Sequence, residues 1–315
     1  MIDLSHIPET PGLSVFLPQG VDANSWQTWQ KPRGFVMATI YAIGPGGGGG
    51  SGRSESPAVN NRGGGGGGGS GGLSRLTIPL FLLPDTLYIR VTPGGSGGAA
   101  VAPTSNGIAG NVGFAPATTL VSVYPSTTTQ YLFLAANAGS GGAAGTTSGG
   151  SGGGAASASA TTSAPLSNLG TTLFNAGNTG QSGGTNSAGN SITQGTGSQI
   201  YGGAGGGGCA NAGAASSGGG VSVLANTPFL SSPGGAGVNS AAPQNGGNGF
   251  SWTTIFPLKI YGGTGGSAPN LSAYVGGNGG NGAMPGAGGG GGGASINTSG
   301  AGGDGGPGCV IIQCW

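Results

Sequence analysis

The chain has 315 residues, of which 81 are glycine and 20 proline; its net charge is +1 and only 4% of its side chains are charged. Glycine does not recur at every third position over any long span, which excludes collagen, and 35% hydrophobic residues at almost no net charge is not the composition of a disordered chain. Seven Lys and Arg set against six Asp and Glu leave too few cations to neutralise a phosphate backbone, so no nucleic-acid partner is expected.

The first residues, MIDLSHIPET, carry acidic groups and no apolar run, so no secretion signal is expected. No segment approaches the roughly eighteen consecutive apolar residues of a membrane-spanning helix, so no membrane insertion is expected. A strand is expected at LSVFL, 13–17. Next comes WQTWQKPRG, 26–34, where two readings stand side by side. The indoles either cap one end of a sheet, or Trp26, Trp29, Lys31 and Arg33 form a docking surface on a partner protein, since Trp and Arg are favoured interface anchors.

FVMATIYAI, 35–43, has the β-branched and aromatic content of a core strand, yet it runs into Gly44-Pro45 and the glycine run 46–50. A second run fills 63–69. Further strands are expected at LTIPLFLL (76–83), TLYIRVT (86–92), TLVSVY (119–124) and QYLFLA (130–135). In TLYIRVT, Leu87, Ile89 and Val91 alternate with polar or amphipathic residues, the period of a half-buried antiparallel strand. Pro84-Asp85 and Tyr124-Pro125-Ser126 read as turns.

Beyond residue 136 strands become sparse: VSVLA (221–225), WTTIFPLKIY (252–261) and CVIIQCW (309–315). Residues 140–200 have linker composition and are expected to be the least regular part. Elsewhere a period of three emerges in GGTGGS (262–267), GGNGGNG (276–282) and GGDGGPG (302–308), the period of a polyproline II-type helix. Such a helix has no internal hydrogen bonds, so it must bond to neighbours, and only glycine lets backbones approach that closely. The expected fold is therefore mainly β with polyglycine II-type helices and essentially no α-helix. It divides into a strand-rich attachment region, 1–135, with glycine-run insertions, and a glycine-rich region, 136–315, closed by a C-terminal strand.

Catalytic chemistry finds little to work with. The one histidine is His6, and residues 91–258 hold no Asp, Glu, Lys, Arg or His. There is no Gly-Lys pair for a phosphate-binding loop, and GxGxxG matches are inevitable in such a composition. Asp304 stands alone, unlike the repeated aspartates of calcium-binding nonapeptides. Cys209, Cys309 and Cys314 have no CxxC spacing and read as reduced apolar residues. No enzyme activity, cofactor or metal is expected. The aromatic residues of the second half flank turns. Phe229, Phe250, Trp252, Tyr261 and Tyr274, with Asn270, either form receptor-contact loops or plug the ends of a glycine-helix bundle.

The stretch WQKPRGFVMATIYAIGPGGGGGSG (29–52) and the closing GPGCVIIQCW (306–315) together resemble the glycine-rich domains of bacteriophage tail-fibre and other virion appendage proteins. The resemblance extends to the tip adhesins of T-even-like phages, whose polyglycine II sandwich contacts the host receptor through its loops. It implies a non-enzymatic virion protein, made in the host cytoplasm and placed on the particle exterior. Its partners would be other virion proteins and a host-surface protein or glycan, within a homo-oligomer or larger assembly. The alternative is a structural decoration, collar or minor capsid-associated protein.

Overall fold

The computed structural model describes residues 12–19, 25–56, 60–103, 110–155, 170–193, 200–209, 215–222, 234–236, 243–252, 259–269 and 274–315. Two antiparallel sheets face each other. One holds β1 (Leu13–Phe16), β3 (Met37–Ile43), β4 (Leu73–Pro79), β8 (Thr171–Asn175) and β13 (Cys309–Cys314), in the order β1-β13-β3-β4-β8. The other holds β2 (Gln27–Gln30), β5 (Thr86–Arg90), β6 (Thr119–Ser122) and β7 (Leu132–Ala136), in that order. Short two-residue strands β9 (Ile192–Thr193), β10 (Val221–Ser222), β11 (Ser251–Trp252) and β12 (Lys259–Ile260) lie in the glycine-rich half. The fold is mainly β, with two short 3-10 turns at Leu80–Leu82 and Thr129–Tyr131 and no α-helix among the described residues.

The core follows from the alternation of each strand. Ala38, Ile40 and Ala42 of β3 point inward beside Ile78 and Leu76 of β4 and Cys314, Ile312 and Val310 of β13. Leu87, Ile89, Val121 and Leu134 meet them from the other sheet, and Trp29 of β2 closes the cluster. Inward side chains shrink toward one end: Ile40, Ala42, Gly44 on β3; Leu76, Ser74, Gly72 on β4; Ile312, Val310, Gly308 on β13. Side chains normally hold packed sheets about 10 Å apart. As they shrink, the sheets converge. Ser74 Oγ already donates across the gap to Ala135 O at 2.6 Å. At Gly44 an added Cβ would sit 2.0 Å from Asn137 O of the opposite layer.

Past that point the strand pairings continue in register but change their rhythm. Ile43 pairs with Leu73, and the same register carries on as Gly44 N to Gly72 O, Gly47 N to Gly69 O, Gly50 N to Gly66 O and Arg53 N to Gly63 O. Cys309 pairs with Ile43, and its register continues as Gly46 N to Gly306 O, Gly49 N to Gly303 O and Gly52 N to Gly300 O. The β4–β8 pairing extends through Ser70 N to Asn178 O, Gly67 N to Gln181 O and Gly64 N to Gly184 O. Each pair of segments now bonds at every third residue. The residues between turn to other neighbours: Gly48 N donates to Phe114 O, and Gly142 N donates to Gly48 O, both across what was the gap between sheets.

Segment 44–53 thereby bonds to six others, 63–72, 93–98, 110–114, 139–145, 289–292 and 300–306. Segments 63–72 and 286–294 are enclosed in the same way, and the three are mutual neighbours. This location explains the unbroken glycine runs. A Cβ at Gly47, Gly48 or Gly49 would lie 2.1, 2.1 or 2.0 Å from Ser140 O, Ser96 O or Gly290 O, so consecutive residues face three different backbones. At the periphery one residue in three faces solvent, and there the sequence relaxes to GGN and GGD: Asn278, Asn281 and Asp304 are exposed. Gly286, at φ +80°, turns the chain into the third central segment.

The two regions expected from sequence interleave in space. β8 and β13, from beyond residue 136, complete the sheet begun by β3 and β4, while runs 44–53 and 63–72 lie at the centre of the glycine-rich body. The segment expected to be least regular contains β8 and, at 140–153 and 178–190, ordered three-residue ladders; residues 156–169 and 194–199 lie outside the described set.

Candidate binding surfaces

The outward positions of the glycine-rich body carry a repeated side-chain pattern. Asn281 N donates to Asn248 Oδ1 at 3.0 Å, Asp304 N to Asn281 Oδ1 at 2.9 Å, and Gly97 N to Asp304 Oδ1 at 2.8 Å. One turn away, Asn278 N donates to Asn245 Oδ1 and Ala301 N to Asn278 Oδ1. Each outward N–H has no further segment to bond, and the neighbouring Asn or Asp oxygen takes it. Asn suits this because its oxygen accepts while its amide NH2 stays available for two more bonds. The result is a face of ordered carboxamides with a single charge, Asp304. The GGNGGNG repeat announced the outward position; which neighbour its oxygen meets required the fold.

Of the proposed contact residues, Phe229 and Asn270 lie outside the described residues. Tyr261 is fully buried, which removes it from any contact surface. It lies between Phe250 at 4.5 Å and Tyr201 at 5.1 Å, nearly parallel to the latter, and Lys259 Nζ closes the stack 5.6 Å from the Tyr201 ring and 3.2 Å from its hydroxyl. Desolvation raises the Tyr261 pKa and lowers that of Lys259. The stack packs with Ile192, Ala204 and Val221 in one buried cluster. Trp252 pairs with Lys259 through the backbone of β11 and β12. Tyr274 is half-buried beside Val275, which is 48% exposed.

The four residues of the expected docking surface do not share one face. Trp29 is only 4% exposed because the alternation of β2 turns it into the sandwich core. Lys31 Nζ donates to Leu83 O and pairs with Asp85 at 2.9 Å, fixing the turn before β5, and Arg33 is exposed. Trp26 lies on the opposite side of β2, over the guanidinium of Arg90 at 5.7 Å. Arg90 itself was not singled out from the sequence, although its alternation with Ile89 and Val91 marks it as facing away from the core.

Comparison with known protein families and with characterised proteins finds no match to this chain. The site chemistry therefore rests on the residues. Among the described residues no group of three His, Cys, Asp or Glu side chains is placed to hold a metal, and no helix is long and apolar enough to cross a membrane. Cys209, Cys309 and Cys314 are free and buried, and burial pushes the Cys309 thiol up to about 12. Arg53 and Glu55 form a buried pair at 3.6 Å, with Asn60 Nδ2 donating to the carboxylate. Among the described residues, open surfaces include the carboxamide face, the sheet face beneath Trp26, and an apolar end of the sandwich at Val36, Phe81 and Trp315.

Proposed function

We propose that the glycine-rich segments are polyglycine II-type helices and that the protein is a non-enzymatic bacteriophage virion appendage protein recognising the host surface. Three features support the helix assignment: hydrogen bonds at every third residue, six neighbours around each central segment, and glycine wherever a Cβ would strike a backbone. A polyglycine II helix needs all three, because its stability lies between helices. Amide exchange tests this: N–H groups around Gly262–Gly282 should be strongly protected, and exchange at the rate of an unfolded peptide there would refute it.

The observation that carries the recognition role is the carboxamide face. Its side chains are fixed by backbone hydrogen bonds and so lose little freedom on binding. The exposed amide donors of Asn278 and Asn281 suit a neutral glycan or protein surface. Labelled protein titrated onto a panel of bacterial cells and envelope extracts should show saturable binding to one of them, lost in Trp252→Ala, Tyr274→Ala or Asn281→Ala. Absence of binding across the panel supports the second reading, a structural decoration, collar or minor capsid-associated protein. One observation favours that reading: Val36, Phe81 and Trp315 are 70%, 79% and 50% exposed and lie together, since Val36 N bonds Trp315 O and Leu80 N bonds Val36 O. An apolar end of this kind is a place to attach to other virion proteins.

A further inference from the structure

On the outer face of the four-stranded sheet, register places one row of side chains across all four strands. Gln27 pairs with Ile89, which sets Trp26 opposite Arg90; Arg90 pairs with Leu120, and Leu120 with Ala135. The chain before β6 and the turn after it border a shallow, open cleft of about 260 Å³ lined by Arg90, Thr118, Leu120, Thr127, Leu132 and Asn137. Arg90 is 92% buried (8% exposed). Its Nη2 donates to Thr118 O at 3.2 Å, and its Nε is buried without a partner. No carboxylate pairs with it among the described residues: Asp85 is taken by Lys31, Glu55 by Arg53, and Asp304 accepts from Gly97 N. Burial pulls its pKa down, the sign of a cation poorly compensated by its surroundings. A buried charge is costly unless paired, and among the described residues Arg90 meets one carbonyl and the face of Trp26.

We propose that this cleft binds a carboxylate-bearing sugar residue, whose carboxylate pairs with Arg90 beside the Trp26 ring. The proposal is independent of the carboxamide face and of the glycine-segment loops. A guanidinium matches a carboxylate in shape and charge. One cation among uncharged walls balances a monoanion and leaves a dianionic phosphate half uncompensated. The volume lies below the roughly 300–1,000 Å³ of ordinary ligand pockets, which suits one small ring and not a peptide. Thr118 and Thr127 offer hydroxyls at the rim. Along the same outer face Tyr88 stands two residues from Arg90, and Tyr124 and Tyr131 follow at ring distances of 6.4 and 5.7 Å. With Tyr124 60% exposed and Tyr131 38% exposed, this aromatic row continues the site for the next sugars of a chain.

The test is an NMR titration of the full chain, following the Trp26 indole N–H, with methyl β-D-glucuronide, methyl β-D-glucoside, glucose 6-phosphate and sodium acetate. A single sugar of this size is expected to bind at roughly millimolar affinity. The glucuronide should saturate, with the glucoside at least about tenfold weaker, the loss expected for a missing charged hydrogen bond; acetate, which lacks the ring, and the phosphate, whose second charge has no counter-ion, should also bind more weakly. Arg90→Met should weaken the glucuronide by about tenfold to a hundredfold and leave the glucoside unchanged. Its thermal midpoint without ligand should equal or exceed that of the parent, because it removes an unpaired buried charge; a large fall would mark Arg90 as structural and overturn the proposal. Equal binding of glucoside removes the carboxylate from the argument, equal binding of acetate removes the sugar, equal binding of the phosphate removes the preference for a monoanion, and no saturation by the glucuronide removes the site.

Discussion

Replacing Gly67 by alanine is the most direct probe of the backbone packing. A Cβ there would lie 2.1 Å from Gly203 O and 2.4 Å from Gly203 C, where ordinary contact begins at 3.4 Å. The 201–209 segment would have to retreat by about 1.3 Å (3.4 less 2.1). That segment is held there by Gly203 N to Gly68 O at 2.8 Å and Gln181 N to Gly203 O at 2.9 Å, and neither bond survives such a shift. Overpacking costs about 1–3 kcal/mol, and each buried group left unsatisfied a further 1–3 kcal/mol. With one unsatisfied group for each lost bond the expected loss is roughly 3–9 kcal/mol, reduced by about 0.4–1 kcal/mol because alanine also restricts the unfolded chain. Gly154 is the control. It is exposed, its Cβ would meet only the Ser140 side chain at 3.5 Å, and Gly154→Ala should stabilise by that same 0.4–1 kcal/mol or so. Urea unfolding with the slope held constant measures both. If the two variants fall within about 1 kcal/mol of each other, the close backbone contacts do not exist in solution.

Two further perturbations address the few ionisable groups. Glu55→Ala leaves the buried Arg53 guanidinium without its counter-ion and should cost about 3–5 kcal/mol in urea unfolding, whereas Arg53→Met combined with Glu55→Leu should cost clearly less; equal costs would show that the pair is not desolvated. Cys309 has its thiol pKa raised by burial from 9.0 to about 12, so folding disfavours its thiolate. The stability this contributes is complete below pH 9 and is lost as the pH rises toward 12, by about 4 kcal/mol at about 1.36 kcal/mol per pH unit. Comparing unfolding of the parent and Cys309→Ala between those pH values isolates that dependence, and parallel curves would contradict the assigned burial.

What was legible in the sequence divides along physical lines. β3, β5, β6 and β13 announce themselves by β-branched content and β7 by its Leu-Phe-Leu run; alternation is clearest in Leu87, Ile89 and Val91. β2 is hidden because an edge strand needs only one inward residue, Trp29, and its other side chains are polar. β8 is hidden for the same reason, and by the linker-like composition around it. β4 begins at Leu73, three residues earlier than its apolar run suggests, since Ser74 packs at the narrowing end of the sandwich where nothing larger fits. The apolar LFLL after Pro79 leaves the sheet as a 3-10 turn and exposes Phe81. The period of three was legible at the periphery, where an outward residue marks each turn. In the central runs no side chain marks the period, and the structure supplies it through the hydrogen bonds. Arg90 was visible only as an outward residue; that no carboxylate among the described residues pairs with it depends on where the other charges fall.

Those central runs pose a register problem that a last perturbation resolves. A β-strand holds its register because a slip of one residue turns its apolar face outward. A glycine run has no such penalty, so the register of 44–53 must be imposed from outside, by β3 paired with β4 and β13 at one end and by Ser51 and Arg53 at the other. Ser51 is the first residue after the run with a side chain, and its Oγ accepts from Asn111 N at 2.7 Å. Inserting one glycine after Gly48 rotates everything downstream by a third of a turn. Ser51 and Arg53 then aim their side chains where glycine now meets backbone, at a cost comparable to Gly67→Ala for each. Inserting three glycines moves the same residues along the axis but leaves each facing the neighbour it faced before. The three-residue insertion should therefore be the milder of the two, by about 3 kcal/mol or more in urea unfolding, even though it adds more chain. Ordinary loop lengthening predicts the reverse order, because closure entropy grows with length. If one inserted glycine is tolerated as well as three, the segment has no threefold phase and the six-neighbour packing around it is wrong.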